Sequence, residues 1–124
     1  MGLTYARVTV TPYGGAMKFT QEFLVVTGAT DSVIPQSKLH AMGVEPEGRM
    51  RYEMADGRKV LLQYAAAKFE VMGRIAYGKV VFGPDGIEPH LGVTILESAA
   101  LRVNPVSKKL EKLTAGLMKA IIAR

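Results

Sequence analysis

The residues best suited to organise chemistry lie in one short stretch, FLVVTGATDSVIP, from Phe23 to Pro35. An apolar run enters a loop of small residues, Val26-Thr27-Gly28-Ala29-Thr30-Asp31, and a second apolar run leaves it. Gly28 permits close approach of backbone, and the hydroxyls of Thr27 and Thr30 can hydrogen-bond neighbouring main chain. Such a loop needs internal ties, because buried amides do not go unpaired. Its first position, where a charged group would make chemical sense, holds Val26. Valine neither accepts a proton nor orients water.

Other candidates are few. The chain has no cysteine, which excludes disulfides, thiolate nucleophiles and thiolate metal sites. His40 and His90 are far apart in the chain, without His-x-x-x-His spacing. His40 reads as a surface or boundary residue of a short helix; His90 precedes an apolar-Gly pair, where facing a cleft is one option among several. No metal site and no cofactor is expected. There is no glycine-rich phosphate loop ending in Lys-Ser/Thr and no Gly-x-Ser-x-Gly elbow. Nothing in the spacing favours a Ser-His-Asp triad. The only aspartates are Asp31, Asp56 and Asp85, and the last two fall in turn sequences.

The elements that must position this loop read as β-structure. Tyr5 to Val10 alternates, with Ala6, Val8 and Val10 on one side and Arg7 and Thr9 on the other, the period of a half-buried strand. PYGG at 12–15 is a turn signal, and Met17 to Val25 returns as the second arm of a hairpin. Ser32 to Ile34 is a short strand. Pro35 then suits the first turn of a helix carrying Leu39 and Met42, with Gly43 as its stop. From Arg49 to Phe82 the pattern is β again. It breaks at Met54-Ala55-Asp56-Gly57-Arg58, where Asp-Gly predicts a tight hairpin with positive φ, and again at Met72-Gly73-Arg74. Residues 82–90 read as a loop. Thr94 and Glu97 have the spacing of a capping box on a second short helix. Leu101 to Val106 reads as a closing strand, with Pro105 at an edge or end. Leu113, Leu117 and Ile121 have helical spacing, weakened at Gly116 by roughly 1 kcal/mol relative to alanine.

Composition bounds the function classes. A chain of 124 residues with 48% apolar content suits one globular domain. The net charge is +5, which raises nucleic-acid binding as a class. The basic residues are scattered, however: Arg49, Arg51, Arg58 and Lys59 surround one turn, and Lys108, Lys109 and Lys112 lie near the end. Few aromatics interleave with them, so they read as solvated strand faces rather than a nucleic-acid interface. The alternating N-terminus does not have the form of a signal peptide, and no apolar run approaches the ~18 residues that would span a bilayer. A soluble, cytoplasmic protein without a membrane partner is expected.

The Phe23–Pro35 stretch resembles the retropepsin-like aspartic proteases, the family of the retroviral proteases and their small prokaryotic relatives. Their signature is two apolar residues, Asp, Thr or Ser, Gly, then Ala or Ser, followed by a short strand. FLVVTGATDSVIP matches it except at Val26, which stands at the catalytic aspartate position. PHLGVTILESAAL resembles the family's second element, an apolar pair and glycine before a short helix. Leu91 and Gly92 are in place there, and His90 stands where an apolar residue is usual. YEMADGRKV sits where the family has its flap, and LRVNPVSKKL resembles the closing strand of prokaryotic members. The resemblance spans roughly Thr4 to Leu113.

The resemblance implies an all-β fold: a closed acid-protease barrel over residues 1–112 with one or two short helices, and a C-terminal helical tail over 113–124. It implies a homodimer acting on an extended polypeptide. Two aspartates, one per subunit and about 3 Å apart, would share one proton and activate water. Carried over by motif, the catalytic set is Val26, Thr27 and Gly28. The substrate-binding set is Ala29, Thr30 and Asp31 with Ala55, Asp56 and Gly57 of the flap. With Val26 in place of the acid, no appreciable peptidase activity is expected. The competing reading is a non-catalytic peptide-binding or dimerisation module on the same fold.

Overall fold

The computed structural model describes residues 2–14 and 17–115. Nine strands and two short helices follow one another along these residues, so the fold is mostly β. Strand β1 (Tyr5–Pro12) and strand β2 (Phe19–Val25) form the expected hairpin, with Tyr5 opposite Leu24 and Val10 opposite Phe19. The loop 26–31 leads into β3 (Ser32–Pro35) and helix α1 (Gln36–Ala41). Pro35 is the N-cap rather than the first helical residue. Gly43 ends the helix at φ 79°, where its amide donates to the His40 carbonyl.

Strands β4 (Gly48–Glu53), β5 (Lys59–Val71) and β6 (Arg74–Gly83) form an antiparallel meander. The β5–β6 turn is Met72-Gly73, both at positive φ, which matches the twist of the flanking strands. The β4–β5 turn differs from the sequence expectation. Only Gly57 has positive φ. The Gly57 amide donates to the Met54 carbonyl and the Met54 amide to the Arg58 carbonyl. This is a three-residue loop, a type I turn closed by one left-handed glycine. Asp56 therefore sits in ordinary right-handed space.

Strand β7 (His90–Leu91) is only two residues long, yet it occupies a central place. It runs parallel to β2 and antiparallel to β3, and so separates the two strands that flank the loop 26–31. The large sheet runs β1-β2-β7-β3-β6-β5-β4, and β1 also pairs with β5. Six strands thus form a ladder that returns on itself, with β4 outside the ring. Inside it lie Val8, Val10, Phe23, Ile34, Phe69 and Leu91, all fully buried. Each such side chain contributes roughly 1.5–3 kcal/mol of burial free energy. Along β5 the alternation is buried-outward only from Ala65 on; before it, every residue is at least partly exposed. The β4–β5 hairpin projects from the core.

Helix α2 (Val93–Ser98) packs Ile95 and Leu96 into that core. The expected capping box is absent. Gly92 is the N-cap, Thr94 already lies inside the helix, and no side chain caps it. Carbonyls of the distant loop take that role, as described below. The expected closing strand from Leu101 to Val106 is also shorter. Strand β8 (Leu101–Val103) stops at a turn, in which the Asn104 carboxamide oxygen accepts from the Val106 and Ser107 amides. The chain then returns as β9 (Leu110–Lys112), and β8 and β9 make a separate two-stranded sheet. Residues 113–115 carry no helix. The Leu113 amide donates to the Ala100 carbonyl. The rest of the expected helical tail, with Leu117 and Ile121, lies outside the described residues.

Candidate functional site

The loop 26–31 is held by the segment that β7 delivers. The Val26 amide donates to the Leu91 carbonyl (3.0 Å), and the Ala29 amide closes the loop on the Val26 carbonyl (3.1 Å). Two amides at the start of α2 donate back to the loop: Val93 to the Ala29 carbonyl (2.7 Å) and Thr94 to the Thr30 carbonyl (3.1 Å). Each bond satisfies a helix-terminal donor and a loop acceptor together, so the loop caps the helix and the helix fixes the loop. The Gly92 amide donates to the Ser32 hydroxyl (2.9 Å), which is fully buried. A Cβ on Gly92 would lie 2.6 Å from the Asp31 carbonyl carbon and 2.8 Å from the Thr30 oxygen. These are main-chain atoms that cannot swing aside, so this close approach requires glycine.

Of the expected catalytic set, Val26 is half-buried and Thr27 and Gly28 are exposed. A Cβ on Gly28 would meet nothing within 4 Å, so no packing within the described chain calls for that glycine. Ala29 and Asp31 are half-buried and Thr30 is exposed. An open groove of about 580 Å³ lies beside Thr27, lined also by Val93, Leu96, Leu101 and Leu113. Its lining is predominantly apolar.

Asp31 is where the loop meets the β4–β5 hairpin. The Tyr52 hydroxyl donates to Asp31 Oδ2 at 2.8 Å. Burial pushes the phenol pKa far above its ordinary value, and the Asp31 carboxylate adds to the shift by hydrogen bond and charge. Tyr52 is therefore a neutral donor across the physiological range. Nothing in the sequence marked Tyr52 apart from any other aromatic in an alternating strand. Ser32 was likewise invisible as a tie, because its partner is sixty residues away in the chain.

Ala55, Asp56 and Gly57 lie at the exposed tip of the hairpin, and none of them hydrogen-bonds the loop among the described residues. Asp56 serves its own turn: its carboxylate accepts from the Arg58 amide (3.0 Å) and from Arg58 Nε (2.8 Å). Those bonds hold its pKa below the usual carboxylate range. Asp85 accepts from the Ser37 amide at the start of α1, which lowers its pKa as well. Neither aspartate is available to replace an acid at position 26. The His40 ring packs on Phe82 with 5.3 Å between centroids, and His90 is a β7 residue opposite Leu24 and Val33. Among the described residues, no three His, Asp or Glu side chains come together as a metal-binding group. No helix among them is long and apolar enough to cross a membrane.

No protein-family model matches this chain, and no curated protein matches it either.

Proposed function

We propose that the chain is one subunit of a retropepsin-like aspartic peptidase dimer whose chemistry is silenced by Val26. The observation that carries this reading is the clasped loop. A small-residue turn opening with Val26 is held by β7 and α2 at its main chain, leaving Thr27 and Gly28 free to face outward. In the proposed assembly, two such turns meet across a two-fold axis beneath the β4–β5 hairpins, and an extended polypeptide lies between. The self-closing strand ladder supports the closed-barrel form of this fold. The apolar groove beside Thr27 and the open space over Gly28 supply surface for a second copy.

The missing chemistry follows from one atom set. Peptide hydrolysis of this type needs a carboxylate to take a proton from water as its oxygen adds to the peptide carbonyl. A second, protonated carboxyl polarises that carbonyl. The proton is then passed to the departing amine as the C–N bond breaks. Two Val26 side chains supply neither function.

Val26→Asp tests the reading. With a mixed peptide library at mildly acidic pH, cleavage is expected from Val26→Asp and none from the chain as it stands. Silence in both, with peptide still bound, favours the second reading: a peptide-binding or dimerisation module, to which the hydrocarbon at position 26 is suited. Sedimentation across pH adds an independent arm. The Val26 dimer is expected to be indifferent to pH, whereas Val26→Asp should dissociate as its paired carboxyls ionise. Identical dimer constants at every pH would count against a symmetric meeting at residue 26.

A further inference from the structure

Strand β4 ends the sheet and pairs only with β5. The Met54–Arg58 hydrogen bond continues their ladder to the turn, which sets its phase. In an antiparallel pair, alternate residues turn their main chain to the partner. Gly48, Met50 and Tyr52 therefore bond β5, opposite Tyr64, Leu62 and Val60. Arg49, Arg51 and Glu53 present their N–H and C=O groups to the open edge. Among the described residues, no other segment bonds that edge.

Cations predominate among the side chains there. Arg49, Arg51, Lys59 and Leu61 lie on the hairpin face opposite Tyr52, all exposed, Leu61 to 58%, with Glu53 across from Lys59 as the one acid of that face. Two other arginines of the chain hold carboxylates, Arg58 with Asp56 and Arg102 with Glu111. Arg49, Arg51 and Lys59 have none within ion-pair distance among the described residues.

We propose that the β4 edge is a docking strand for an extended acidic segment of a partner protein. Main-chain bonds to Arg49, Arg51 and Glu53 supply the strand pairing. The free cations select glutamate or aspartate on the incoming strand. The same charges argue against a second copy in this place, since antiparallel self-pairing would set arginine against arginine. This surface is independent of residue 26 and of peptidase chemistry.

The test uses a short synthetic peptide alternating glutamate with valine, its lysine-valine counterpart, and single-stranded oligothymidine. Binding is followed by fluorescence anisotropy and backbone amide exchange. The acidic peptide is expected to bind, and to slow exchange at Arg49, Arg51 and Glu53 while leaving Met50 and Tyr52 unchanged. The double variant Arg49→Glu/Arg51→Glu should weaken binding by about tenfold or more. Arg51→Pro, which removes one outward amide without touching the β5 ladder, should weaken it beyond Arg51→Gln. Equal binding of the lysine peptide, tighter binding of oligothymidine, or full affinity in the double variant would overturn the proposal. So would protection at the loop 26–31 with none at the three edge amides.

Discussion

The loop 26–31 and the β4–β5 hairpin differ in how they are held, although both belong to the candidate site. The loop is tied through its main chain by four hydrogen bonds at Val26, Ala29 and Thr30, and pressed against Gly92. Its neighbours Ser32 and Leu91 are fully buried. The hairpin hangs from β5, carries exposed residues on both arms, and meets the loop through one side-chain bond, Tyr52 to Asp31. Main-chain ties do not depend on side-chain identity, so the loop should keep its shape with any residue but proline at position 26. The hairpin's direct tie to the loop is a single phenol, while Lys79 on Met50 and the β5 ladder hold it from behind. A rigid floor and a lightly tethered cover are what the proposed polypeptide cleft would need.

The largest effect expected from breaking this contrast is Gly92→Ala. Its methyl group must displace main chain at Thr30 and Asp31, at a cost of about 1–3 kcal/mol, read as a lower denaturant midpoint. An unchanged midpoint would mean that the loop is not clamped there. Ser32→Ala leaves the Gly92 amide buried without a partner, for a loss of about 1–3 kcal/mol, with faster amide exchange at residues 91–94. Tyr52→Phe should lose about 1 kcal/mol, while amides of β4 exchange faster and those of the loop 26–31 do not. Faster exchange in the loop as well would refute the division between floor and cover.

Tyr52 also gives the contrast a pH signature. Its folded pKa lies above the ordinary phenol value of 10.0, so the folded state holds this proton more tightly than the unfolded one. That contribution is fully present below about pH 10 and is lost as pH rises beyond it. The stability gap between the parent and Tyr52→Phe should therefore narrow above about pH 10, and a constant gap would place the phenol elsewhere. The smallest effect is expected from Asp56→Asn. It loosens a fully exposed turn and should leave the thermal midpoint where it is, although the Arg58 amide exchanges faster.

Much of the fold was legible in the sequence because its signals are local. The alternation of Tyr5 to Val10, the turn at Tyr13-Gly14 and the breaks at 54–58 and 72–74 correspond to strands and turns in the structure. The structure departs from local expectation in two ways, through a distant partner and through a side-chain turn. Thr94 and Glu97 have capping-box spacing, but the Ala29 and Thr30 carbonyls already take the helix amides, so the helix starts earlier, at Val93. The pattern predicts a closing strand through Pro105, but Asn104 draws the chain into a turn and β9 comes back to pair with β8. In the site, the small residues of 26–31 announced a tied loop. The spacing gave no hint of Ser32 as a tie or of Tyr52 as the link to the hairpin.

The sequence by itself determined the β-rich class, the hairpin arms, the position of the small-residue loop and the hydrocarbon at its opening. Side-chain period and turn preference depend only on neighbours in the chain, and these can be read residue by residue. Tertiary structure alone decided that β7 would separate β2 from β3, that β1 would meet β5, and that Asp31 would find Tyr52. Those contacts join residues far apart in the chain. They exist only once strand register has fixed which backbone groups and side chains face one another.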